Sequence, residues 1–591
     1  MNFLTAAEHS RLSKVARKEE PADLCLCGGK VINCLSGDVQ ELDIAIANGR
    51  IAALGHDFQA VDKVDCSGLF IAPGFIDAHI HIESTMLSPR QFARAVVPRG
   101  TSCVIADPHE IANCLGMSGI EFMIRQAINL PMTILYTAPS CVPATHLETS
   151  GAELGPKEVE TLLEMDEIVA LGEMMNFPGV VFGDENVHRK LEAARRLGMV
   201  IDGHAPGLSG DMLCSYVSAG IDSDHECTTA EEAAEKLERG MYLFLRQGTS
   251  EQNLKDLLPA VNSANLHRCC LVSDDRDPDD LMDKGHMDYS LRVAVEAGLD
   301  PISAISMVTI NPARRFGLRD MGAIVPGYRA DLVLLEDLRD FRVKATFFAG
   351  KMVAKEGNLT QEPDIQATEG LPARSMDVDL ERLDFSIKAE GELARVIGID
   401  PGQIVTKHLV EPVKVLNGFA VADSEKNIIK LAVIERHHGT GNIGLGFVKG
   451  LGLKQGAIAS TVAHDSHNII VAGANDNDMY LAVKALVDCG GGLVVANDSK
   501  IEALLALPIA GLMSDMELEK VRLGLDKVKQ AARDLGSKIT NPFMILSFLA
   551  LPVIPALKLT DKGLVDVKSF SITPLFFPKN HEKKRKFLLT S

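Results

Sequence analysis

The sequence predicts an α/β chain built around a (β/α)8 TIM-like barrel, with a small β-sandwich domain and an additional C-terminal α+β domain. Three observations predict it. Strand-like apolar runs alternate with helical stretches eight times between about residues 69 and 316, close to the ~250 residues such a barrel needs. No Gly-rich phosphate loop follows the first strand, which argues against an open doubly wound sheet. Histidines and carboxylates recur at the ends of the predicted strands, and a parallel barrel opens all its strand C-termini onto one face.

In chain order, residues 1–22 read as a polar helical arm. Residues 23–66 read as strands and turns, with Asn48-Gly49 between apolar runs as a hairpin signal. The barrel is expected over residues 67–320. Its first strand, Phe70-Ile71-Ala72-Pro73-Gly74-Phe75-Ile76, runs on to His81. The next strands end at Asp107, Tyr136, Glu173, His204, His225, Leu245 and Asp274. Strands return at Ala330-Asp331-Leu332-Val333-Leu334-Leu335 and at Val343-Lys344-Ala345-Thr346-Phe347-Phe348, with Gly350-Lys351 hairpin-like. Residues 321–362 are therefore expected to pair with residues 23–66, making one β-domain from both flanks of the barrel. Residues 362–374 read as a Pro-bearing linker. Residues 375–591 read as the C-terminal domain, Gly-rich and strand-rich in its centre, with a helix over 478–488.

Composition narrows the partners. At 591 residues the length prior is ~3 to 4 domains. A net charge of −20 argues against nucleic acid, whose phosphates need clustered Lys and Arg. The dense basic run Lys583-Lys584-Arg585-Lys586 reads as a solvated tail. The 12 cysteines show no disulfide spacing and are expected to be reduced thiols of a cytosolic protein. The N-terminus lacks a signal-peptide core. The apolar stretch 543–557 is broken by Pro552 and Pro555 and is shorter than the ~20 residues of a spanning helix. The expectation is a soluble, cytoplasmic protein with no membrane partner.

The chemistry sits at the strand ends. His79 and His81, at i and i+2 of one strand, point to the same face. With Glu173, His204, His225 and Asp274 they supply four imidazoles and two carboxylates. That set suits two divalent metals, with Glu173 bridging and a water activated between them. Each residue also has a structural reading alone: Glu173 or Asp274 as helix caps, His204 as a loop histidine, His225 bonded to a carbonyl. All six at predicted strand ends favour the metal reading. Asp107 and His109, after strand two, are candidates for substrate binding, for orienting a ligand, or for a further metal. Asp275 joins them, and His286 and Asp288 are candidates to contact substrate, with Asp288 as an N-cap the competing reading. His437, His438, His464 and His467 concentrate in the C-terminal domain, either to cover the barrel mouth or as polar ends of Gly-rich strands.

Over residues 23 to about 355 the chain resembles the amidohydrolase superfamily. The resemblance rests on Pro73-Gly74-Phe75-Ile76-Asp77-Ala78-His79-Ile80-His81, the histidines of strands five and six, and the aspartate of strand eight. Asn311-Pro312-Ala313 and Gly327-Tyr328-Arg329-Ala330-Asp331-Leu332-Val333 are also similar. Within the superfamily it resembles the adenine deaminases, through His81-Ile82-Glu83-Ser84, Asp107-Pro108-His109-Glu110, Gly172-Glu173-Met174-Met175-Asn176 and Ala463-His464-Asp465-Ser466-His467-Asn468. Nothing in residues 569–591 carries the resemblance.

The resemblance implies hydrolytic deamination of adenine to hypoxanthine and ammonia by a metal-bridging hydroxide. It implies two divalent metals per chain, Mn(II) or Fe(II) ahead of Zn, and a homo-oligomer, at least a dimer. Asp274 would shuttle the proton, and Glu83 is the first candidate to protonate the ring nitrogen, against a reading as a surface carboxylate. A carboxylate at position 173, in place of a lysine to be carboxylated, weakens the cyclic-amide readings. Hydrolysis of a cyclic amide, an N-acetyl group or another amino-heterocycle remains the alternative, and a metal-free scaffold on the same fold is the rival from another class.

Overall fold

The computed structural model describes residues 4–362, 376–399 and 405–577. The linker expected at 362–374 lies outside them from residue 363, and so does the basic run at 583–586. The chain divides into two compact units. One comprises Met1–Pro108, Met123–Ser140 and Gly155–Ala367; the other comprises His109–Phe122, Cys141–Leu154 and Thr368–Ser591.

The first unit opens with a helix, Ala6–Ala16, started by a reciprocal Thr5/Glu8 capping box. Strands β1 (Ala22–Asn33), β2 (Asp38–Ala47), β3 (Arg50–Gly55), β4 (Ala60–Asp65) and β5 (Phe70–Pro73) follow. Next come β6 (Phe75–Ile80), β7 (Thr101–Ala106), β8 (Thr133–Ala138), β9 (Ile168–Met174), β10 (Val200–Gly203), β11 (Ser223–Asp224), β12 (Tyr242–Arg246) and β13 (Cys269–Val272). The unit closes with β14 (Leu332–Leu335), β15 (Val343–Phe348), β16 (Lys351–Lys355) and β17 (Asn358–Leu359).

Strands β1–β5 and β14–β17 form one nine-stranded sheet in which β14 pairs with β5, so both flanks of the parallel region share it. This is one hydrogen-bonded sheet, where the sequence suggested a sandwich. The reason is β1, which is long and bulged between Leu26 and Gly29. Its first half pairs with β4 and its second half with β5, while β2 runs along its other edge. The β2–β3 turn is Asn48-Gly49, both with positive φ as a type I′ turn requires. The β15–β16 turn is Ala349-Gly350, one residue earlier than the sequence suggested.

The sequence read 70–76 as one strand, but the structure divides it at Gly74. Its N–H donates to Asp331 O at 2.8 Å, and a Cβ there would lie 2.2 Å from Ser102 Oγ. Only glycine tolerates that approach, and the chain passes through it from one sheet into the next. Strands β6–β10 form a five-stranded parallel sheet and β11–β13 a three-stranded parallel sheet. Past β13, Ile80 pairs in parallel with Asp274, and the Asp222 N–H donates to Ile201 O at 3.3 Å beside β11. Ile76, Cys103, Ile105, Phe244, Cys270 and Val272 from both sheets pack into one buried cluster. These strands are buried on both faces, which is why they read as near-continuous apolar runs.

In the second unit, an eight-stranded sheet runs in the order Thr406–Pro412, Leu393–Ile399, Ile443–Lys449, Ile428–Ile434, Ile469–Gly473, Ala457–Ser460, Gly492–Asn497, Lys500–Ala506. Helix Asp476–Cys489, capped by Asn475 and ended by Gly490 at positive φ, buries Met479, Val483 and Leu486 in that unit's core. Among the described residues no helix is long and apolar enough to cross a membrane.

Candidate active site

The pairing of Ile80 with Asp274 assembles the site. Asp274 N–H donates to His79 O at 3.0 Å, and Asp274 takes a positive φ of 55°, which aspartate tolerates better than most residues. This brings strand one's His-x-His against a carboxylate almost 200 positions away. His81 Nε2 lies 3.1 Å and His79 Nε2 3.5 Å from Asp274 Oδ1.

Glu173, in β9, divides its two oxygens between two groups of histidines. Oε1 lies 3.3 Å from His81 Nε2 and 4.0 Å from His79 Nε2. Oε2 lies 2.7 Å from His204 Nδ1 and 3.3 Å from His225 Nε2. The rings of His79 and His225 stack at 4.2 Å, which closes the two groups into one cluster. All six residues the sequence singled out as ligands therefore meet. Their structural readings are spent elsewhere: Asn176 caps the helix after Glu173, and Asp277, not Asp274, is the N-cap of helix Pro278–Asp283.

The supports are equally specific. Asp107 O is 3.0 Å from His81 Nδ1, which directs His81 Nε2 into the cluster. Asp107 Oδ2 accepts the Glu173 N–H at 3.0 Å. Gly172 makes room for it, since a Cβ there would lie 2.3 Å from that oxygen. Asp275 Oδ1 accepts from Ser84 Oγ, and Glu83, on the short 3-10 turn Ile82–Thr85, is 2% exposed. Burial excludes the surface-carboxylate reading of Glu83.

His286 departs from its expected place beside the substrate. Its Nδ1 is 2.8 Å from Thr101 Oγ1 and its Nε2 is 3.0 Å from Asp77 Oδ2, two residues below His79 on β6. It is fully buried beneath the cluster. Asp288 accepts the His286 N–H at 2.7 Å, but the N-cap of helix Met287–Glu296 is His286; Asp288 lies in the first turn, beyond the N-cap place the sequence suggested for it. His109 belongs to the second unit, where its Nε2 lies 3.6 Å from Glu110 Oε1.

Two residues escaped the sequence reading. Arg246, at the end of β12, donates from Nη1 to Asp274 Oδ2 at 2.7 Å and also pairs with Glu226. Glu226 Oε1 is itself 3.5 Å from His225 Nε2. Arg246 thus pins one oxygen of Asp274 and leaves Oδ1 facing His79 and His81.

The electrostatics match this packing. Burial alone would raise Glu173 and Asp274, but the facing histidines hold Glu173 well below the usual carboxylate range, and Arg246 does the same for Asp274. Burial would lower His225, yet the Glu173 carboxylate raises it to about 9. The donor set fits a divalent transition metal: imidazole and carboxylate, buried and convergent, with His79 Nε2 making no hydrogen bond to a described residue.

Residues 70–353 match the model of the amidohydrolase family, and residues 403–571 match that of the adenine deaminase C-terminal domain. The adenine deaminase of Desulfatibacillum aliphaticivorans is 51% identical over 95% of this chain and 98% of its own length. The chain belongs to the adenine deaminase family. The enzyme of that name from Methanothrix thermoacetophila is 49% identical over 96% of this chain and 99% of its own. Adenine deaminase 2 of Carboxydothermus hydrogenoformans is 48% identical over 95% and 99%. Membership in this family of amidohydrolases implies divalent metal.

Proposed function

We propose that the chain hydrolyses the exocyclic amine of adenine, releasing hypoxanthine and ammonia. The observation that carries the chemistry is the Glu173 carboxylate between two pairs of imidazoles, with Asp274 closing one side. The substrate comes from the family. We infer further that the two parallel sheets make a closed eight-stranded barrel, on the strength of the Ile80–Asp274 pairing and the Asp222–Ile201 hydrogen bond.

His79, His81, His204, His225, Glu173 and Asp274 would hold two divalent ions, Mn(II) or Fe(II) before Zn. When bound, such ions supply Lewis acidity and a water whose pKa falls to about 7. Asp107 fixes the angle of His81 and the backbone of Glu173, so the donors are oriented before substrate arrives. Asp274 accepts the proton of the attacking water and returns it to the departing amine. Arg246 engages Oδ2, so the proton is carried on Oδ1. Glu83, buried beside the His81 turn, donates to the ring nitrogen that gains charge in the tetrahedral adduct.

Chain loaded anaerobically with Mn(II) should release ammonia from adenine, and Glu83→Gln should lower kcat by at least ~100-fold while metal content stays unchanged. Release from a dihydropyrimidine or an N-acetyl compound, with none from adenine, would overturn the substrate. An unchanged kcat in Glu83→Gln would remove that residue from the mechanism.

A further inference from the structure

We infer that the second unit holds a metal site of its own, a mononuclear divalent transition-metal centre with Glu110, His464 and His467 as ligands. The inference is independent of the function proposed above.

The sequence left two readings open for the four C-terminal histidines, and the structure separates them into two kinds. His437 Nε2 lies 2.7 Å from Ser466 O and His438 Nε2 lies 2.9 Å from Ser150 O. Those two serve as hydrogen-bonding groups of loops. His464 and His467 instead converge on one carboxylate. His464 Nδ1 is 2.6 Å from Glu110 Oε1, and His467 Nε2 contacts Glu110 Oε2. The three ligand atoms lie within 4.8 Å of one another. Glu110 is 2% exposed, His464 4% and His467 1%.

Two imidazoles and one carboxylate form a donor set for Zn(II), Fe(II) or Mn(II). The set is built from distant sequence: Glu110 from helix His109–Leu115, the histidines from the loop before strand Ile469–Gly473. The loop is fixed from behind. The Arg436 guanidinium donates to His467 O and, at 2.8 Å, to Ala510 O, and the His464 ring stacks on Phe548 with centroids 4.7 Å apart. An ion would tie the helix to the loop within the unit, and the burial of every ligand suits a structural centre.

The ion would replace the two histidine–Glu110 hydrogen bonds, and one contact behind His467 must change as well. The Ala463 N–H reaches His467 Nδ1 at 3.2 Å, which places that ring's proton on Nε2, facing Glu110. For Nε2 to offer its lone pair, the single proton of the neutral ring must move from Nε2 to Nδ1. The Ala463–His467 contact therefore opens on metal binding, and occupancy falls as acid protonates the ring.

The test is anomalous diffraction from crystals of the full chain prepared with Zn(II) alone, collected on both sides of the zinc edge. A peak about 2.0–2.2 Å from His464 Nδ1, His467 Nε2 and a Glu110 oxygen is expected, with the Ala463 N to His467 Nδ1 separation longer than 3.2 Å. In solution, Glu110→Gln and His467→Asn should each lower bound zinc by one equivalent, whereas Glu173→Gln should leave this peak in place. No peak at this cluster in the full-length chain would overturn the site and leave a hydrogen-bonded triad, and that result needs no variant to fold. Loss at the His79 cluster alone would count against the active-site metals only.

Discussion

Arg246 offers the sharpest perturbation of the site. The Arg246→Met variant keeps the length of the stem and removes the charge. Asp274 and Glu226, whose side chains are 4% and 11% exposed, then lose the guanidinium that joins them. Removing one partner of a buried ion pair costs about 3–5 kcal/mol. His79 and His81 remain beside Asp274 Oδ1, so we take the lower half of that range, about 3–4 kcal/mol. With a urea dependence of about 3 kcal/mol per molar, the unfolding midpoint of metal-free protein should fall by about 1 M. Because Oδ1 of Asp274 is no longer aimed, bound metal should fall as well. Arg246→Lys should restore less than half of the loss, since an ammonium lacks the fork that spans two carboxylates. A midpoint within ~0.2 M of the parent, with the metal count unchanged, would refute the role given to Arg246.

Three other perturbations follow from the same geometry. Gly172→Ala would drive a Cβ to 2.3 Å from Asp107 Oδ2 and break its hydrogen bond to Glu173; a loss of about 1–3 kcal/mol in stability and at least one metal equivalent is expected, by urea unfolding and metal analysis. His225, raised to about 9, is protonated at pH 7, so metal loading there should release protons, and fewer above pH 9; titration calorimetry in two buffers of different ionisation heat reads the number, and zero release at pH 7 would contradict the charge assignment. Burial would raise Asp224, but its pair with Lys236 holds it at about 2. Its stabilisation is therefore full above the unfolded value of about 3.9 and lost as pH falls through about 2. Lys236→Met should abolish about 2–3 kcal/mol of that acid-sensitive stability, and an unaltered pH–stability curve would oppose it.

Much of this molecule was legible in its residues because the six clustered histidines and carboxylates occupy positions that strand geometry makes predictable. His79 and His81 read as one face because a strand alternates, and Glu173, His204, His225 and Asp274 read as strand ends because apolar runs stop there. Strand six is shorter than the run 220–224 suggested: only Ser223–Asp224 ladders, while Asp222 bonds on both sides without regular pairing. Arg246 was invisible because β12 is buried on both faces, so no alternation marks which way its last side chain points. Glu226 sits directly after His225 with no pattern of its own. His286 misled because a loop sequence does not encode depth: the chain carries it below the cluster, onto Asp77. Glu110 was read only as part of a motif, since its partners lie some 350 positions away and no local periodicity links them.

In the proposed function one carboxylate, Glu173, joins two sets of imidazoles into a single catalytic metal cluster. The measurement is the anaerobic release of ammonia from adenine by Mn(II)-loaded protein, with metal counted on the same sample and on Glu173→Gln. The account predicts rapid release by the parent chain. In Glu173→Gln it predicts a loss of at least one equivalent of metal from the His79 cluster, with release falling by at least ~1000-fold, about 4 kcal/mol of barrier. Full activity and an undiminished metal count in Glu173→Gln would contradict it.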